Sequence, residues 1–190
     1  MLIYFITITS FLIRVAYIFG FTDYKNYLGS DMGGYWANAM DRFDGNLFSP
    51  GQYMISASFF HFYLTYVFKV LAFFNLSNLR LEAVIFLNVF YSSISIFFFY
   101  LILINLIQSK KTCIIATIFF AFCYPLTYLN AFVLAENISI PLAIVSIYFV
   151  LDNKNNPALL FISGMLFAFS VAARPPLIFI LFSFGKIILR

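Results

Sequence analysis

The sequence predicts an all-α membrane protein: a polytopic bundle of transmembrane helices with one amphipathic helix at the membrane surface. Hydrophobic residues make up 64% of the 190-residue chain and charged residues only 9%, whereas soluble domains carry roughly 25% charged residues. Apolar runs recur along the chain, most of them near the roughly 20 residues that a helix needs to cross a bilayer. The one long polar stretch covers 21–53. These observations predict a single membrane domain, 1–190, without a separate soluble domain.

The first span is predicted over 1–20. This run has neither a basic start nor a small-residue cleavage pattern, so we expect it to be retained rather than removed as a signal peptide. Arg14 lies inside the run and is expected to snorkel outward. Further apolar runs predict spans over 82–107, 112–134, 137–151, 158–173 and 176–189, the last two separated by Arg174, Pro175 and Pro176.

Basic residues at the span ends predict the orientation of the chain. Lys and Arg favour the cytoplasmic side of a membrane. On this basis Glu136, Arg174 and the joint 75–81 are expected on the extracytoplasmic face. The residues expected on the cytoplasmic face are Lys110, Lys111, Lys154, Lys186 and Arg190.

The side on which loop 21–53 lies depends on whether the run 54–74 crosses the membrane. If it crosses, the loop is cytoplasmic; if it lies in the outer interface or re-enters, the loop joins Glu136 and Arg174 outside. The residues leave this open, although the polar side chains within 54–74, such as His61, favour an interfacial or embedded helix.

The polar loop contains a predicted amphipathic helix. Its apolar face has helical spacing, and Gly45 can end it. Asp31 is either the N-cap of this helix or a functional acid. Gly33 and Gly34 weaken the first turn by roughly 1 kcal/mol each relative to Ala while leaving room for a ligand near the backbone. The face consists of Trp36, Ala39, Met40 and Phe43.

Glu136 and Arg174 are the other candidate functional residues. Glu136 is either a solvated acid at a helix N-terminus or part of a site. Arg174 precedes two prolines inside an apolar stretch, where an arginine costs at least ~2.5 kcal/mol unless it is paired or reaches the interface. It either caps a helical hairpin or binds a lipid phosphate through its guanidinium. Arg80 and Glu82 are expected to pair at a loop.

Several functions are excluded by composition. The net charge of +4 comes mostly from basic residues at the ends of apolar runs, so nucleic acid is not expected as a partner. His61 is the single histidine. A multi-histidine metal site is therefore excluded, and Ser-His-Asp chemistry is not expected.

The order of these features resembles the N-terminal half of the GT-C glycosyltransferases, in the branch of the protein O-mannosyltransferase-like and aminoarabinose-transferase-like enzymes of bacterial membranes. The resemblance covers nearly the whole chain but rests on short motifs taken together. These are Asp31 followed by Tyr35 after the first span, a span ending in Lys110-Lys111, Tyr124-Pro125 leading to Leu134-Ala135-Glu136, and 164–168 leading to Arg174-Pro175.

The resemblance implies a site and a reaction. Asp31 and Glu136 would be the catalytic acids, and Tyr35, Arg174 and Arg80 would bind substrate. The donor would be a sugar on polyprenyl phosphate and the acceptor a glycan, lipid or protein, with the reaction on the extracytoplasmic side of a bacterial inner membrane. Met32 stands where the family has a second acid, and a divalent metal cofactor is left open. The family architecture also assigns 54–74 to the outer loop.

Two further alternatives stay open at the level of sequence. Family members are longer, so the chain is expected to be a fragment, one part of a split gene, or an inactive remnant. A non-enzymatic membrane protein, such as a small transporter or assembly subunit, would instead pair Arg14, Glu136 and Arg174 inside a bundle, with Asp31 remote from them.

Overall fold

The computed structural model describes residues 1–46, 58–152 and 156–179, and in these ranges it is all-α, without strands. Short 3-10 turns join the helices at Tyr24–Asn26, Ser77–Leu79 and Pro175–Ile178. The predicted all-α class is therefore confirmed. The helices are α1 (Leu2–Phe21), α2 (Ser30–Phe43), α3 (Ser58–Phe73), α4 (Arg80–Leu106), α5 (Lys110–Ala121), α6 (Tyr124–Leu129), α7 (Glu136–Asp152) and α8 (Pro157–Ala173).

Among the described residues, two helical segments are long and apolar enough to cross a membrane: α1, and Ser77–Leu106, which contains α4. Shorter apolar helices occupy Phe59–Phe73 and Pro157–Ala173. Helix length and composition do not establish the other predicted spans. Residues 180–189 of the predicted span 176–189 lie outside the described residues, as do Lys154, Lys186 and Arg190.

The predicted span 112–134 is not one helix, because the helix breaks between α5 and α6. Pro125 has no N–H to donate to the carbonyl of Ala121, and its ring would clash with that carbonyl in an unbroken helix. The chain instead ends α5 at Ala121 and turns through Phe122 and Cys123, with Pro125 in the first turn of α6. The Ala121 oxygen accepts hydrogen bonds from Ser10 Oγ at 3.0 Å and Arg14 Nη2 at 2.9 Å.

Arg14 does not snorkel outward as expected; only 1% of it is exposed. Its Nε donates to Ser10 Oγ at 3.1 Å, and Nη1 donates to Ser92 Oγ at 2.6 Å and Asn130 Oδ1 at 2.8 Å. Snorkelling was expected because water is the usual partner of a lone arginine in an apolar helix. Here the broken helix offers oxygen acceptors inside the protein, so the guanidinium turns inward.

The predicted amphipathic helix is present as α2 and packs against α3. Trp36 lies 4.7 Å from Phe68 between ring centroids, Ala39 is fully buried, and Thr65 Oγ1 donates to the Ala39 carbonyl at 3.2 Å. Beyond the end of α2, Gly45 has a φ of +83°, a left-handed conformation that favours glycine. The apolar face of α2 is thus buried against α3 and is not covered by lipid alone.

Paired serines join α7 to α8. Ser146 Oγ donates to the Ser163 carbonyl at 2.9 Å, Ser163 Oγ donates to the Ser146 carbonyl at 2.9 Å, and Ser170 Oγ donates to the Ser139 carbonyl at 2.8 Å. Small hydroxyl residues let helix backbones approach closely in an apolar environment. The two helices form an antiparallel hairpin, so the first residue of α7 lies beside the last turn of α8.

We expect Arg14→Met to lower the free energy of unfolding by about 3 kcal/mol, because it leaves several buried acceptors without a donor. Arg14→Lys should recover part of this loss, since an ammonium group still donates three hydrogen bonds. Thermal unfolding of the purified protein in detergent measures both effects. Leu12→Met, at an exposed position of the same helix, is the matched control. A stability of Arg14→Met equal to that of Leu12→Met would contradict the role given to Arg14.

Candidate functional site

An ion pair between the ends of α7 and α8 lies at the centre of the candidate site. Arg174 Nη2 lies 2.9 Å from Glu136 Oε1, and the two side chains are 43% and 29% exposed. Glu136 is the first residue of α7, and Arg174 is the C-cap of α8. The antiparallel hairpin therefore brings together two charges that are 38 positions apart in the sequence (174 − 136), and it leaves both partly accessible.

Tyr35 of α2 joins this pair. The residue is 8% exposed, and its phenol lies within electrostatic range of Arg174, Glu136 and Asp31. Burial, followed by the negative charges of Glu136 and Asp31, raises the pKa of the Tyr35 phenol above its ordinary value, while Arg174 acts in the opposite direction. The phenol therefore keeps its proton at neutral pH and can donate a hydrogen bond.

Asp31 lies one turn before Tyr35 and is exposed. The N-cap of α2 is Gly29, so Asp31 belongs to the first helical turn and the N-cap interpretation is wrong. A carboxylate in this turn is favoured by the helix dipole. The close approach of the chain at Gly33 favours glycine, because a Cβ there would lie 3.2 Å from the Leu28 carbonyl oxygen. A Cβ at Gly34 would meet open space.

Three buried asparagines position Glu136, and the sequence interpretation missed them. Asn130 Nδ2 donates to Asn137 Oδ1 at 3.0 Å, and Asn137 Nδ2 donates to the Phe132 carbonyl at 2.8 Å. Asn88 Nδ2 donates to the same carbonyl at 3.0 Å. These amides hold the turn between α6 and α7. Their occurrence in or beside apolar runs was the available signal, because buried amides need partners.

A small recess with one polar wall and a mostly apolar remainder adjoins Glu136. It has a volume of about 30 Å³, enough for one or two water molecules. Its polar wall is formed by Ser92, Ser95, Asn130, Asn137 and Glu136. Ser92 and Asn130 are also acceptors for Arg14, so the recess lies between the buried guanidinium and the Glu136 carboxylate.

Arg80 has a different environment from the other predicted site residues. Its guanidinium carbon lies 4.3 Å from the ring centroid of Phe43, and Nη1 donates to Met40 Sδ at 3.3 Å. These residues belong to the last turn of α2, about 7.5 Å (Met40) and about 12 Å (Phe43) along the helix from Tyr35. The expected pair of Arg80 and Glu82 is also wrong, because Glu82 Oε1 instead lies 3.6 Å from Lys25 Nζ.

The described residues of the site do not form an all-protein cage for a divalent metal. Ca²⁺ takes six to eight oxygen ligands, often several carboxylates, whereas Mg²⁺ usually takes one or two carboxylates and completes its shell with water and substrate phosphates. Within the described ranges, no group of three or more His, Cys, Asp or Glu side chains could hold a metal ion. Asp31 and Glu136 are the acids near Tyr35, and Arg174 engages Glu136.

No family model, curated protein or solved structure matches the chain.

We expect the ion pair to contribute less than about 1 kcal/mol to stability, because both side chains are partly exposed to solvent. Glu136→Gln, Arg174→Gln and the double variant form a double-mutant cycle, read by thermal unfolding in detergent. A coupling free energy above about 2 kcal/mol would show instead that the pair is chiefly a structural contact.

Proposed function

We propose that the chain is a membrane glycosyltransferase of GT-C type, or the N-terminal part of one. It would transfer a sugar from a polyprenyl-phosphate donor to an acceptor at the extracytoplasmic face of a bacterial inner membrane. The observation that carries this proposal is the convergence of Asp31, Tyr35, Glu136 and Arg174, which come from three helices. Such a cluster combines an accessible acid with a cation suited to phosphate.

The packing of α3 is consistent with a site on the outer side of the membrane. The described part of α3 has 16 residues, about 24 Å of helix compared with a typical hydrocarbon core of about 30 Å. It packs on α2, which is consistent with both helices belonging to one outer loop. The 27 residues of α4 extend about 40 Å, so Glu82 and the basic residues Lys110 and Lys111 lie near opposite ends of this helix.

The proposed reaction uses the residues in distinct roles. Asp31 accepts the proton of the acceptor hydroxyl, and the acceptor oxygen forms a bond to the anomeric carbon. The bond between that carbon and the phosphate oxygen breaks, and the phosphate leaves with the electron pair. Arg174 stabilises the departing phosphate. Glu136 orients Arg174, and Tyr35 donates a hydrogen bond without losing its proton.

The alternative of a transporter or assembly subunit required Arg14 to pair with Glu136 and Arg174, with Asp31 remote. Arg14 instead bonds to Ser10, Ser92, Asn130 and the Ala121 carbonyl. Asp31 and Glu136 both lie within electrostatic range of the Tyr35 phenol, so Asp31 is not remote from Glu136. Both observations favour the transferase.

In the complete protein, we expect Asp31→Asn to lower sugar transfer by a factor of about 10² to 10⁴, the contribution typical of a general base. Transfer is measured with radiolabelled polyprenyl-phosphate hexose and polyprenyl-phosphate aminoarabinose in membranes that contain cell-envelope acceptors. Asp41→Asn, an exposed acid on the same helix, is the matched control. Transfer by Asp31→Asn at the wild-type rate would refute the assignment.

Binding of the donor separates the role of Arg174 from that of Asp31. Arg174→Gln should weaken binding of polyprenyl phosphate at least tenfold, because it removes a charge-assisted hydrogen bond worth about 1.5–3 kcal/mol. Asp31→Asn should leave binding unchanged. Equal affinity of wild type and Arg174→Gln would remove the proposed phosphate site.

Topology tests the membrane placement independently of activity. In a background where Cys113 and Cys123 are replaced by alanine, a membrane-impermeant maleimide should label Asp31→Cys from the extracytoplasmic side. Lys111→Cys should be labelled only after the membrane is permeabilised. Labelling of position 31 from the cytoplasmic side alone would rule out the proposed function.

A further inference from the structure

A second cleft lies between α1, α4 and α5, near the basic end of the fold. It has a volume of about 280 Å³, near the lower limit of small-ligand pockets. Its described walls include Leu2, Ile3, Ile6, Tyr100, Lys110 and Ile114. The cleft is therefore aliphatic in its interior, with a phenol and an ammonium group as polar elements.

The first turn of α5, which lies beside this cleft, is positively charged. Lys110 and Lys111 are exposed neighbours in this turn, which contains no acidic residue. The positive end of the dipole of this 12-residue helix lies in the same place. Both lysines and the helix dipole contribute positive charge, so the start of α5 favours an anion.

Packing fixes the walls of the cleft. Ile6 is 6% exposed and belongs to a cluster with Ile96, Ala121, Ile114 and Phe120. Two of the wall residues, Ile6 and Ile114, are thus held by the core between the three helices. The cleft is part of the helical packing rather than a groove between mobile side chains.

We propose that this cleft binds an anionic phospholipid, with the phosphate at Lys110, Lys111 and the Tyr100 hydroxyl and the start of one acyl chain against Ile3, Ile6 and Ile114. Charge complementarity selects the occupant, since basic pockets between membrane helices recognise anionic lipid head groups. The aliphatic wall requires an attached chain, which a free anion lacks. The inference rests on the proposed membrane placement but not on sugar transfer.

Lipid titration of the purified chain in detergent tests the proposal, with thermal unfolding as the readout. Phosphatidylglycerol should stabilise the wild type at a lower concentration than phosphatidylcholine does. Lys110→Gln and Lys111→Gln should each raise the half-saturating concentration of phosphatidylglycerol about fivefold, and the double variant should raise it about twenty-five-fold. Ile114→Trp, which fills the cleft but keeps both lysines, should also weaken the effect.

The matched control is Lys25→Gln with Lys69→Gln, which removes the same charge from residues outside the cleft. An equal effect of both double variants, or equal stabilisation by the two lipids, would overturn the proposal. Competition by millimolar inorganic phosphate as effective as that of phosphatidylglycerol would assign the site to free anions and also overturn it. A separate experiment measures whether the chain stays in membranes after an alkaline wash. Release of the chain by this wash would refute the membrane placement itself.

Discussion

The helix break at Pro125 and the arginine that satisfies it are the constraint on which the rest of the structure depends. Pro125 frees the Ala121 carbonyl from its helix, and a bare carbonyl in an apolar interior costs several kcal/mol. Arg14 supplies a donor to that oxygen at 2.9 Å. The same guanidinium reaches Ser92 of α4 and Asn130 after α6. One side chain of α1 therefore connects three other parts of the fold.

The candidate site depends on this connection through the turn before α7. Arg14 holds Asn130, Asn130 donates to Asn137, and Asn137 follows Glu136 directly in the chain. These contacts give the side-chain amides of Asn130 and Asn137 hydrogen-bond partners, which favours one conformation of the turn over alternatives. The direction of the Glu136 side chain toward Arg174 is consequently a property of the core and not only of the surface pair.

Composition and local pattern were sufficient to predict the all-α class and the apolar face of α2, and to single out Asp31, Glu136 and Arg174 as candidates, whereas Tyr35 was expected only from the resemblance to GT-C enzymes. These features follow from periodicity and from the cost of charge in apolar runs. The burial of Arg14, the break at Pro125 and the stacking of Arg80 on Phe43 could not be predicted in the same way. Each depends on which acceptors or rings a distant helix brings near, and one sequence does not contain that information.

Arg14 and Arg174 differ in the access that an anion has to them. Arg14 is 1% exposed and its donors are engaged by neutral oxygens, so it serves the fold. The side chain of Arg174 is 43% exposed and contacts one carboxylate, which leaves other guanidinium donors for a phosphate. Because Glu136 is held by the asparagine turn, Arg174 stays oriented before a ligand arrives, and little conformational entropy remains to be lost on binding. The buried arginine thus supports, through Glu136, the orientation of the accessible one.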